Sequence, residues 1–251
     1  MNHLKLITFD VTNTILKFRD VGRIYSNAAR LFGIQVSADA VRSSFRDVWL
    51  TQEKLYPNFG VGRGMTPKQW WRDVVSACLL KNASVDIDEQ KMKDIADYLY
   101  QRYMDECCWD LLPYSRETLD NLRRNYKHLR FGVISNFDER LFDIFETMDL
   151  MRYFDFVIIS TQANCYKPDP EIFRMALSKV GVAAHEALHI GDHIVKDYLG
   201  ALNVGMNAFL LTQRDLSGDN RVNTKHVLKD IRNIEQNISA LGLHKKFVCS
   251  E

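Results

Sequence analysis

Leu4-Lys5-Leu6-Ile7-Thr8-Phe9-Asp10-Val11-Thr12-Asn13-Thr14-Ile15-Leu16 is the stretch on which the reading of this chain turns. Leu4 to Phe9 is apolar apart from one lysine and one threonine, and Asp10 follows at once. That pattern predicts a buried parallel strand ending at an acidic loop. In open parallel sheets, ligands bind beyond the carboxyl ends of the strands. Asp10 is therefore the first candidate site residue.

Outward from that strand, the pattern from Lys17 to about Asp110 is helical, with no convincing strand. Val21 to Leu31 places apolar residues at helical spacing, and Val36-Ser37-Ala38 opens a helix that runs to about Leu55. Tyr56-Pro57-Asn58-Phe59-Gly60 breaks it, and Gly60, Gly62 and Gly64 mark a loop. Thr66-Pro67 predicts the next helix start, with the hydroxyl as cap and proline at the first helical position. Asp88 opens another helix, through Ile95 and Tyr103. After Pro113, helices and strands alternate. Strands are expected at Leu129–Ile134, Phe154–Ser160, Leu188–Ile190 and Met206–Leu211. Helices are expected at Ser115–Tyr126, Asp138–Leu150, Asp169–Val180, Val195–Asn203 and within Asp230–Leu241. This alternation predicts an α/β fold: a Rossmann-like parallel sheet core with an inserted all-helical cap domain. The expected division is a core of residues 1–16 and 112–251 and a helical cap of residues 17–111.

Bulk properties exclude several classes. With 33 basic and 32 acidic residues the net charge is +1, which attracts neither nucleic acid nor a membrane surface. Basic runs are no longer than Arg123-Arg124 and Lys245-Lys246. The five cysteines, Cys78, Cys107, Cys108, Cys165 and Cys249, include no CxxC pair, which argues against zinc and for reduced thiols. No apolar run approaches the roughly 18 residues of a membrane helix, and the opening residues lack a signal-peptide pattern. An intracellular, cytoplasmic protein is the expectation.

The residues just after the strands carry the chemistry. They are Asp10, Ser135, Lys167 and Asp192: two acids, a hydroxyl and a lysine on one sheet edge. That inventory suits a phosphate and a divalent ion, with a carboxylate pair for Mg²⁺ and donors for phosphoryl oxygens. Four segments in order resemble the haloacid dehalogenase superfamily. Asp10-Val11-Thr12-Asn13-Thr14-Ile15-Leu16 resembles its Asp-x-Asp-Gly-Thr-Leu motif. Val133-Ile134-Ser135-Asn136, Lys167-Pro168-Asp169-Pro170 and Gly191-Asp192-His193-Ile194-Val195-Lys196-Asp197 resemble its second, third and fourth motifs. The helical insertion is similar to the superfamily's type-one cap. Tyr56-Pro57-Asn58-Phe59-Gly60 and Gln69-Trp70-Trp71 resemble an animal subgroup more narrowly.

The resemblance implies a set of roles. Asp10 is the nucleophile that forms an aspartyl-phosphate. Asp10, the Thr12 carbonyl and Asp192 would bind Mg²⁺, and Asp197 would support Asp192 or a metal-bound water. Ser135, Asn136 and Lys167 bind the phosphate, and Lys167 neutralises charge in the transition state. The implied partner is a small phosphorylated metabolite, with no nucleic acid and no membrane.

One departure bears on activity. Where the superfamily's phosphatases carry a general acid/base aspartate, this chain has Thr12, whose hydroxyl cannot exchange protons usefully near neutral pH. Loss of such a group costs about 10²–10⁴ in rate. Three readings stay open: a slow phosphatase limited to good leaving groups, a metal-independent dehalogenase-type hydrolase, and a catalytically weak phosphate-ligand or protein-binding module. Gly191-Asp192 speaks against the dehalogenase, because dehalogenases lack that pair. His193 is a candidate substitute base, since imidazole titrates near neutrality.

Each residue also has a plainer reading. Asp10 and Ser135-Asn136 could be turn or capping residues. Lys167-Pro168-Asp169-Pro170 could simply start a helix. Asp192 and Asp197 could cap one. Trp70 and Trp71, being adjacent, cannot share one helix face; at least one is expected in the cap core and the other is a candidate pocket residue.

Overall fold

The computed structural model describes residues 4–83, 86–216, 218–240 and 242. Lys245, Lys246, Cys249 and Leu241, the end of the last expected helix, lie outside the described residues. In chain order the elements are β1 (Leu6–Phe9), β2 (Leu16–Phe18), α1 (Val21–Leu31), α2 (Ala38–Leu55), α3 (Pro67–Asn82), α4 (Glu89–Arg102), β3 (Trp109–Leu111), α5 (Ser115–Asn125), β4 (Arg130–Ser135) and α6 (Arg140–Thr147). There follow β5 (Phe156–Ile159), α7 (Ser160–Ala163), α8 (Pro170–Val180), β6 (Ala187–Gly191), a π-helix at Ile194–Leu199, α9 (Gly200–Asn203), β7 (Asn207–Leu211), β8 (Val227–Leu228) and α10 (Ile234–Ala240).

The chain forms two compact units. The first takes the segment up to Lys17, Leu111–Asn136 and the chain from Met151 onward. Its sheet has the order β5-β4-β1-β6-β7-β8 and every pairing in it is parallel. All of β1 is buried, as a central parallel strand must be. The chain runs outward from β1 through β4 to β5 and then returns to β6, so the strand order reverses around β1. Such a reversal leaves a crevice at the carboxyl ends of the strands. Phe9 pairs with both Val133 and Ile190, so the ends of β1, β4 and β6 are level. Gly132 is required in β4, because a Cβ there would lie 2.2 Å from the Phe156 ring. A core of Leu6, Ile134, Ile172, Phe173, Tyr198 and Leu210 supports one side of the sheet.

The second unit comprises Phe18–Asp110 and Phe137–Leu150. Helix starts follow local chemistry: Ser37, Thr66 and Asp88 each accept a backbone amide of the first turn, and Thr66 with Gln69 forms a reciprocal capping box. Its interior is aromatic. Trp49 lies 5.0 Å from Trp70 and 4.9 Å from Trp71 between ring centroids. Trp70 and Trp71 are both buried, so the adjacent pair packs inside this unit despite pointing in different directions from the helix. Helix α3 lies between α2 and α4, so a wide arc of its surface is covered. Both indole N–H groups are used, Trp70 donating to the Tyr56 carbonyl and Trp71 to Asp138.

Three further differences from the sequence reading have physical causes. β2, β3 and β8 have two or three residues each, too few to display an alternation. The π-helix interrupts what the periodicity predicts as one helix from Val195 to Asn203. The segment Phe137–Leu150, expected with the sheet, is grouped with the helical unit. Asp138 there accepts from Trp71, and the Arg140 guanidinium lies over the rings of Trp71 and Tyr100 at 4.5 and 4.2 Å. No helix among the described residues is long and apolar enough to cross a membrane.

Candidate active site

The site belongs to the first unit and forms at the level ends of β1, β4 and β6. Asp10 follows β1 directly and its amide donates to the Ile190 carbonyl of β6 at 2.8 Å. The loop then turns tightly, with the Val11 carbonyl accepting from the amides of Thr14, Ile15 and Leu16. Asn13 takes φ +61°, a left-handed conformation that asparagine tolerates better than most residues. Its side chain lies near the Asp192 carboxylate and favours the ionised form. Thr12 is half-buried.

Asp10, Ser135, Lys167 and Asp197 come together and are all buried. Lys167 Nζ donates to Asp10 Oδ1 and to Asp197 Oδ1, each at 2.6 Å. Ser135 Oγ approaches Asp10 Oδ1 at 3.4 Å, and Thr14 Oγ1 approaches Asp10 Oδ2 at 3.5 Å. The Asn136 side chain reaches the Lys167 loop. Its Nδ2 donates to the Lys167 carbonyl at 2.9 Å and its Oδ1 accepts from the Lys167 amide at 2.7 Å. This two-point clamp engages both ends of the carboxamide, so the Asn136 side chain fixes the backbone of Lys167.

Asp197 reaches the site because of the π-helix and a glycine. Asp197 and Tyr198 both donate their amides to the His193 carbonyl, and that widened turn aims Asp197 inward. A Cβ on Gly191 would lie 2.3 Å from Asp197 Cγ, so only glycine lets this carboxylate lie against the end of β6. Asp197 Oδ2 accepts from the His193 amide at 3.0 Å. His193 itself caps the π-helix: its Nδ1 accepts from the amides of Val195 and Lys196, both at 3.1 Å. That contact commits Nδ1 and weakens the case for His193 as a base.

Charge is unevenly matched here. Oxygens of Asp10, Asp192 and Asp197 lie within 4.8 Å of one another, with Lys167 as the ammonium among them. Burial disfavours the Lys167 cation, but Asp10 and Asp197 outweigh that and keep it charged. Burial would also raise Asp197, yet Lys167 and His189 hold it well below the usual carboxylate range. Burial pushes Asp10 up, with Lys167 pulling against it. Asp192 is pushed up to about 7, by burial first and then by Asp10 and Asp197. An excess of oxygen-donor charge around Asp10 and Asp192 fits a hard divalent cation.

Two residues of this neighbourhood go unnoticed in the sequence. His189 Nε2 lies 3.1 Å from Asp197 Oδ1, and its Nδ1 lies 2.9 Å from Thr8 Oγ1. The available signal was a polar residue in each of two otherwise apolar strands.

Residues 4–205 match the haloacid dehalogenase-like hydrolase family. The chain is 40% identical over 209 residues to haloacid dehalogenase-like hydrolase domain-containing protein 3 of Mus musculus, covering 83% of this chain and 82% of that one. Among solved structures it is similar to a dehalogenase captured as an intermediate complex, with a TM-score of 0.70 at 20% identity, covering 98% of this chain and all of that one. It is also similar to a phosphatase of the same fold from Thermococcus onnurineus, with a TM-score of 0.64 at 22% identity, covering 97% of this chain and all of the other. The fold accommodates both chemistries, so the choice between them rests on the site.

Proposed function

The chain belongs to the haloacid dehalogenase-like hydrolase family, and from there we propose that it transfers phosphoryl groups through Asp10, with Mg²⁺, from small phosphorylated metabolites whose leaving groups need no proton. The observation that carries this reading is the charge balance: three clustered carboxylates share one lysine, and Asp192 is pushed up to about 7. The residues that would hold the ion are Asp10, Asp192 and the Thr12 carbonyl. When bound, it would supply positive charge against the phosphoryl oxygens. A metal-independent dehalogenase has no use for the surplus carboxylate at Asp192.

The chain's own residues then divide the work. Lys167 and Ser135 hold Asp10 Oδ1, which leaves Oδ2, with its long contact to Thr14, for attack. Attack forms the Oδ2–P bond and breaks the bond from phosphorus to the leaving oxygen, which departs with the electron pair. Lys167 offsets the charge on Asp10 and the phosphoryl group. Thr12 delivers no proton to the leaving oxygen, so acyl and aryl phosphates react and alkyl phosphates lag. The same lack slows the attack of water on the aspartyl-phosphate.

A leaving-group series tests this. Acetyl phosphate and p-nitrophenyl phosphate should release phosphate in a Mg²⁺-dependent way, with simple alkyl phosphates at least about 10²-fold slower. Equal rates across the series would refute the role given to Thr12. No release from any member, with the fold intact, would favour a binding module.

A further inference from the structure

We propose that Thr8 and His189 are a buried positioning pair that orients Asp197 and, through it, sets Lys167 against Asp10. The inference rests on the phosphoryl-transfer reading for its kinetic consequence, but not for its geometry. Thr8 and His189 occupy paired positions on the parallel strands β1 and β6, so their side chains emerge on the same face of the sheet. Both are fully buried. The His189 ring stands edge-on to Phe173, with centroids 5.3 Å apart, which limits its rotation. Its two nitrogens face different partners: Nε2 meets Asp197 Oδ1 at 3.1 Å and Nδ1 meets Thr8 Oγ1 at 2.9 Å.

These partners select one protonation pattern. Asp197 is an anion that already accepts from Lys167 and the His193 amide, so Nε2 must donate to it. An imidazole with its proton on Nδ1 would instead turn a lone pair toward the carboxylate. Thr8 has one hydroxyl proton. It donates that proton to Nδ1 at 2.9 Å in preference to the Leu188 carbonyl at 3.4 Å. Burial and the nearby Lys167 charge disfavour an imidazolium. The result is a neutral ring with Nε2–H, fixed from behind by Thr8. Asp197 then has three donors spread over its two oxygens, with His189 and the His193 amide holding it in place for Lys167. Groups that stand behind a functional side chain in this way typically affect activity by about 10–100-fold.

The test has two arms. In the first, nitrogen NMR of ¹⁵N-histidine-labelled full-length protein reads the His189 ring directly. The expected spectrum is a neutral imidazole protonated on Nε2, with the Nδ1 resonance shifting in Thr8→Val, where it loses its donor, and returning in Thr8→Ser. A ring protonated on Nδ1 or on both nitrogens, or a Thr8→Val spectrum identical to wild type, would overturn the pair. In the second arm, phosphoryl transfer from acetyl phosphate is timed in His189→Leu and His189→Gln. His189→Leu should lower kcat about 10–100-fold with KM little changed, and His189→Gln, which keeps a donor for Asp197, should recover most of the loss. Wild-type rates in a folded His189→Leu would refute the positioning role. If His189→Leu does not fold, Thr8→Val is timed in its place, and there an unchanged rate refutes it. Failure of the wild type to transfer phosphoryl groups would sink the functional reading alone, and the nitrogen spectrum would still decide the pair.

Discussion

Lys167 Nζ lies 2.6 Å from Asp10 Oδ1, and both side chains are buried. The contact joins the end of the first strand to a loop far along the chain. It is also the place where stability and chemistry are linked most closely. Lys167→Met leaves Asp10 and Asp197 as buried carboxylates without their cation. Breaking a buried pair in this way costs about 3–5 kcal/mol, which urea unfolding would measure. The same change should lower phosphoryl transfer from acetyl phosphate about 10²–10³-fold, the usual loss for one preorganised electrostatic contact.

Thr12→Asp should raise turnover of alkyl phosphates about 10²–10⁴-fold, because it restores a group able to give and take a proton. Steady-state phosphate release measures it. An unchanged alkyl-phosphate rate in a folded variant that still binds Mg²⁺ would show that Thr12 is not the limiting position.

Asp192 makes the metal-free protein sensitive to pH. Its folded pKa lies near 7, above the ordinary value of 3.8, so the folded state holds more protons than the unfolded state between those values. Stability therefore falls as pH rises through that window in the absence of metal. Asp192→Asn should raise the metal-free Tm at pH 8 and abolish the Mg²⁺-dependent rise. Mg²⁺ affinity of the wild type should increase with pH up to about 7 and level off above it, since the ion needs the ionised carboxylate. Calorimetry that finds the same affinity at pH 6 and pH 8 would contradict this.

In the helical unit, Asp138 and Arg140 form a fully buried ion pair, and Asp138 also accepts from Trp71. Asp138→Ala strands the guanidinium and one indole N–H. The expected loss is about 3–5 kcal/mol in urea unfolding. A loss near zero would mean that water reaches the guanidinium in solution.

Much of the core was legible because parallel strands buried on both faces leave short apolar runs, as at Leu6–Phe9 and Phe156–Ile159. Asp10, Ser135, Lys167 and Asp192 were legible for a topological reason: ligands gather where such strands end. What escaped depended on tertiary contacts. The clamp of the Asn136 carboxamide on the Lys167 backbone joins segments far apart in sequence. His193 looks like a free imidazole until its cap is seen. The exchange between Thr8 and His189 requires the register of β1 against β6, which no local pattern encodes. Trp70 and Trp71 both turn inward because α3 lies between two helices, and periodicity alone assigns a helix one buried face.

The central claim is that Asp10 is a phosphoryl acceptor whose adduct persists because Thr12 activates no water. Intact-mass analysis after mixing the protein with acetyl phosphate and Mg²⁺, with Asp10→Asn as the control, tests it directly. A Mg²⁺-dependent gain of one phosphoryl group is predicted, absent from the control and decaying slowly. Finding no adduct and no phosphate release above the control would contradict the account.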